Sequence, residues 1–104
     1  MDKVAMLSQI LAEHPNDAFA RYGLAMALVG ERRVPEGLAE FDKCIALSPD
    51  YVPAYQMSAQ TMAANGDRVG AVARLHHGIV AAMRMGNQHA RDEMEALRDD
   101  LTGE

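Results

Sequence analysis

The stretch AFARYGLAMALVGERRVPEGLAEFDKCIALSPDY, Ala18 to Tyr51, sets the reading of the chain because its flanks repeat it at a constant offset of 34 residues. Pro15 leads to Pro49, Leu7 to Phe41 and Leu75, and Leu11 to Ile45 and Ile79. Ala20 leads to Ala54 and Ala25 to Ala59. Like-for-like matches at one period mean that a single supersecondary unit is repeated.

Outward from that stretch, the apolar residues recur at helical spacing. Val4, Leu7, Ile10, Leu11 and His14 mark one face of a first helix, Lys3 to Glu13, which Pro15 ends. Asn16 or Asp17 caps a second helix running through Phe19, Tyr22, Leu24, Ala25, Leu28 and Val29. A third helix follows Pro35 to about Leu47, with Leu38, Phe41, Cys44 and Ile45 on one face. Asp50 is the expected cap of a fourth, Tyr51 to Ala64, ended by Asn65-Gly66. A fifth, Arg68 to Met85, is expected to turn Val72, Leu75, Ile79, Val80 and Met83 inward. Asn87 caps a sixth with Ala90, Met94, Leu97 and Leu101 on one side, and Thr102 to Glu104 are expected to fray. Few β-branched residues and abundant Ala, Leu and Met favour helix throughout, so the fold class is all-α.

At 104 residues the chain is read as one domain with a thin core. Its net charge is −5, and its ten Lys and Arg residues form no stripe, which argues against nucleic acid. The first fifteen residues interrupt their apolar positions with Ser8, Gln9 and Glu13, unlike a signal peptide or membrane span. One cysteine, Cys44, excludes an intramolecular disulfide, and a cytoplasmic setting is expected.

The order of residues within each unit resembles the tetratricopeptide repeat. In the unit from Ala18, Leu24-Ala25 is followed by Leu28, small Gly37, aromatic Phe41, small Cys44 and Pro49. In the unit from Val52, the series is Tyr55, Ser58-Ala59, Met62, Ala71, Leu75 and Gly78, with Met83 in the proline's place. Arg21 departs from the pattern where an aromatic is usual. Gly66 falls opposite Arg32, so the two turns within the repeats are expected to differ. The resemblance implies a short right-handed α-solenoid of about six helices, of the small bacterial type with two full repeats. Residues 1–15 would form an N-terminal half-repeat, 18–51 and 52–85 the repeats, and 87–101 a C-terminal cap.

The resemblance also implies a non-enzymatic protein-interaction module, taking a peptide or partner helix in a groove lined by the first helix of each repeat. The matching positions are Phe19, Tyr22, Met26 and Val29 in the first unit, and Pro53, Gln56, Gln60 and Ala63 in the second. The Lys, Asn and Arg clamp by which some relatives hold a C-terminal carboxylate is missing, since Tyr22, Met26, Gln56 and Gln60 stand there. An apolar or amphipathic segment is the expected ligand. Two uses compete with this groove: the N-terminal helix covering the same surface, and homo-oligomeric stacking through the terminal helices. His76-His77 are helix neighbours about 100° apart and make a poor metal pair. No catalytic, cofactor or metal site is expected.

Overall fold

A computed structural model describes residues 2–103, and these form six helices. They are α1 (Lys3–Glu13), α2 (Ala18–Gly30), α3 (Val34–Leu47), α4 (Val52–Ala64), α5 (Arg68–Arg84) and α6 (Gln88–Thr102). The chain divides into two compact units, one ending at Pro49 and the other beginning at Asp50.

Helix starts follow from side-chain capping. The carboxylates of Asp2, Asp17 and Asp67 accept from the N–H groups of Ala5, Ala20 and Gly70 at 2.8, 3.0 and 2.9 Å. The Asn87 side-chain Oδ1 accepts from Ala90 N–H at 3.1 Å. Each satisfies a first-turn donor that has no helical acceptor. Helices α3 and α4 use no such cap and place Pro35 and Pro53 in the first turn instead. Asp50 is therefore not the cap expected from sequence. Tyr51 holds the N-cap position, and the Asp50 carboxylate accepts from Arg84 Nε at 2.8 Å.

The turns do not differ as the Arg32–Gly66 mismatch suggested. Arg33, Asp67 and Asn87 each donate their N–H to a carbonyl five residues back, on Leu28, Met62 and Ala82, all at 2.9 Å. This closure requires a left-handed residue just before the donor. Gly66 and Gly86 supply it with φ of 86° and 66°, and Arg32 supplies it with φ of 65°. The hydrogen-bonded geometry prevails over the side-chain preference.

In the first unit, Leu11 packs with Ala20, Leu24 and Leu28, and Val4 and Leu7 close over them. Ala25, Phe41 and Cys44 are fully buried between α2 and α3. Gly37 lets these helices approach: a Cβ there would lie 2.6 Å from Val29 Cγ2 and 3.1 Å from the Ala25 carbonyl oxygen. Ile10 and His14, expected on the inner face of α1, are exposed instead. They belong to the side of α1 that neither α2 nor the loop covers.

In the second unit, Leu75, Met94, Ala59, Ala71 and Ala82 are fully buried. A Cβ on Gly78 would stand 2.6 Å from Tyr55 Cβ and 2.7 Å from Met94 Sδ, so this glycine is where α5 meets both α4 and α6. Buried Ser58 is satisfied, donating to the Ala54 carbonyl at 2.6 Å and accepting from Arg74 Nη1 at 3.1 Å. Val80 and Met83 do not face inward as expected; they are 50% and 61% exposed, and the small residues Gly78, Ala81 and Ala82 take the buried positions. At the C-terminus Thr102 is helical and Gly103 caps α6 with φ of 80°, so these two do not fray. The same expectation for Glu104 lies outside the described residues.

Candidate functional site

The first unit carries an apolar hollow of about 720 Å³ between α1 and α2. Leu7 sits against Gly23, its Cδ2 3.4 Å from where a Cβ would stand, which seats α1 on α2 along one edge. Beyond that contact Met6 from α1 and Phe19, Tyr22 and Met26 from α2 line the hollow, with Lys3 and Glu31 contributing polar groups. Phe19 is 74% exposed, Met6 46% and Met26 36%. An open phenyl ring beside two open thioethers is a large apolar display for a chain this small.

Helix α1 does not cover the surface read from the sequence. It forms the second wall of it, with Lys3 and Met6 as lining residues that the repeat pattern did not point to, beside Leu7, which the pattern marks as a packing position. Their signal was present: Met6 lies off the Val4–Leu7–Leu11 stripe that packs inward. An apolar residue outside the buried stripe of an amphipathic helix has some other use or none.

Tyr22 has two roles. Its ring meets Phe41 edge to face, with centroids 6.0 Å apart and planes at 61°, while part of it lines the hollow. Burial, and after it the neighbouring Cys44, raises the phenol's pKa above its ordinary value. Val29 is absent from the hollow and packs toward Gly37 of α3. So three of the four α2 positions come together and the fourth is framework.

In the second unit the α4 positions are more polar and partly engaged. Gln56 is half-buried and donates from Nε2 to Glu93 Oε1 of α6 at 3.3 Å. Gln60 and Pro53 are exposed and Ala63 is half-buried. Arg21, the departure from the repeat pattern, spans α2 and α3: its Nη1 donates to Glu40 Oε2 at 3.0 Å, and Nη2 donates to the Pro15 carbonyl at 3.1 Å. That pairing gives the cation a structural place between the helices.

Cys44 is fully buried and its Sγ–H donates to the Ala18 carbonyl at 3.3 Å. Burial pushes its thiol up to about 11, away from nucleophilic character. His76 and His77 are both exposed on α5. Among the described residues, no three or more His, Cys, Asp and Glu are grouped to hold a metal ion, and no helix is long and apolar enough to cross a membrane.

Hairpins joined by one recurring turn, with small residues at each helix crossing and a 34-residue register, compare closely with solved structures. The TPR2B domain of yeast Sti1, solved in a complex with pHsp70, superposes with a TM-score of 0.88 at 23% identity, over 96% of this chain and 80% of that one. A tetratricopeptide repeat domain protein from Salinibacter ruber gives 0.80 at 26% identity, over 86% and 90% of the two chains. The chain has the tetratricopeptide-repeat fold. A protein from Bordetella parapertussis adds a TM-score of 0.83 at 22% identity, over 98% of this chain and 89% of that one. No protein-family model and no curated protein matches the sequence. As a class, tetratricopeptide folds serve protein–protein interaction, and that general role is the one this architecture fits.

Proposed function

We propose that the chain is a non-enzymatic interaction module whose anchor is the α1–α2 hollow, and that its ligand is an amphipathic segment presenting large aliphatic or aromatic side chains. The observation that carries this reading is the exposed trio of Met6, Phe19 and Met26 around a hollow of about 720 Å³. Flexible thioethers around a rigid ring suit apolar side chains of varied shape. Lys3 and Glu31 offer the polar rim that would orient such a segment. The Sti1 neighbour, solved with pHsp70, lends the reading support from a protein of the same fold.

In this reading the flanking helices and both repeats, 18–51 and 52–85, act as one tetratricopeptide domain. Gln60 and Ala63 of α4 are secondary candidates in their own unit, and Gln56 already serves Glu93. A cytoplasmic setting, read from the single cysteine of the sequence, is part of the proposal. The test is selection from a library of displayed peptides, followed by affinity measurement of the enriched sequences. The reading expects enrichment of segments with spaced large apolar residues, and a loss of at least about tenfold with Met26→Asp while the circular dichroism stays helical. Equal binding by wild type and Met26→Asp would remove the hollow from the account.

A further inference from the structure

Helix α5 carries a second apolar surface that the binding reading does not use. Val69, Val72, His76, Val80 and Met83 recur at spacings of three and four and share one side of the helix, within a sector of roughly 80°. Val69 is 83% exposed, Val80 50% and Met83 61%, His76 is exposed, and Val72 is half-buried at the edge of the stripe, where it and Val69 adjoin Leu101 and Thr102 of α6. One repeat earlier the same positions hold Pro35, Leu38, Asp42, Ala46 and Pro49, which make no continuous apolar stripe. The outward side of α5 therefore departs from what the repeat requires, and it departs toward apolar residues.

The spacing of the stripe is symmetric about His76. Val69 and Met83 lie seven residues to either side, and Val72 and Val80 lie four. A helix face with this property is complementary to itself when a second copy lies antiparallel across a two-fold axis. Val69 then meets the other copy's Met83, Val72 meets its Val80, and each His76 faces its counterpart. The geometry points to homodimerisation through antiparallel pairing of α5, a lateral contact distinct from stacking through α1 and α6. It uses none of the residues on the α1–α2 face, so the two readings stand or fall separately. A single helix pair is a small interface, which places this dimer in the weak, concentration-dependent class.

Sedimentation equilibrium from about 10 µM to about 1 mM should show a reversible monomer–dimer mixture that Val80→Lys shifts to monomer. Engineered cysteines fix the geometry, since native Cys44 is buried and out of reach. Under mild oxidation His76→Cys links to itself, because each copy meets its own position at the axis. Val69→Cys alone does not, since two such residues are about 21 Å apart along an antiparallel pair. Mixed with Met83→Cys, it links across. A wild-type chain that remains monomeric up to about 1 mM overturns the proposal. So does Val69→Cys linking to itself as fast as His76→Cys.

Discussion

At the scale of single residues, Arg32 shows how backbone and side chain compete. Its φ of 65° is forced by the turn hydrogen bond from Arg33 to Leu28, whereas both equivalent turns use glycine. A β-carbon in the left-handed region carries strain, and glycine removes it at some cost in unfolded-state entropy. Arg32→Gly is therefore expected to stabilise by about 0.5–1 kcal/mol, a rise of several degrees in thermal midpoint. Cys44 gives a pH-dependent counterpart. Its folded thiol is pushed up to about 11 from 9.0, so the folded state keeps a proton that the unfolded state has released. The contribution is fully present below about pH 9 and is lost as pH rises toward 11. Stability should fall across that window in denaturant titrations, and Cys44→Ala should flatten the fall.

Phe19 and Tyr22 are separated by burial rather than by chemistry. Phe19→Ala should leave the thermal midpoint within the range of a surface change, about 0.5 kcal/mol, because its ring is 74% exposed. Tyr22→Ala should cost about 1–3 kcal/mol, since it removes the edge-to-face contact with Phe41. The sequence placed both on the candidate surface but could not show that Tyr22 also belongs to the core. Helical period assigns a side, whereas the contact with Phe41 depends on how closely α2 approaches α3.

At the scale of helices, the crossings depend on glycine where a helix would ordinarily prefer alanine. Gly→Ala within a helix is favoured by about 1 kcal/mol from propensity alone. At Gly78 the added Cβ would stand 2.6 Å from Tyr55 Cβ, an atom fixed to the α4 backbone, and 2.7 Å from Met94 Sδ. Overpacking of this kind costs about 1–3 kcal/mol, so Gly78→Ala should lower the unfolding midpoint in urea despite its better propensity. Helix existence and most boundaries were legible because proline, asparagine and glycine punctuate a clear period. The rotation of α5 was less so. Val80 and Met83 are as apolar as Ile79, and only the small residues Gly78, Ala81 and Ala82 mark the side that packs. The Asp50 cap failed because α4 begins at Val52, one residue later than expected, so Tyr51 takes the N-cap position and the Asp50 carboxylate pairs with Arg84.

At the scale of the whole molecule, the repeat register identified the tetratricopeptide fold from like-for-like residues at 34-residue intervals. The candidate site was only half legible. The register indicates which α2 residues are free of packing duties, but in α1 it marks the packing positions Leu7 and Leu11 and not Met6 and Lys3, which complete the hollow. The central claim is that this hollow anchors a partner through apolar contacts. The most direct test is titration calorimetry of the best library-selected peptide against wild type, Phe19→Ala and Met26→Asp, with unfolding measured on all three. Both variants should lose at least about tenfold in affinity, while Phe19→Ala unfolds close to wild type. Unchanged affinity in both variants, with folding intact, would contradict it.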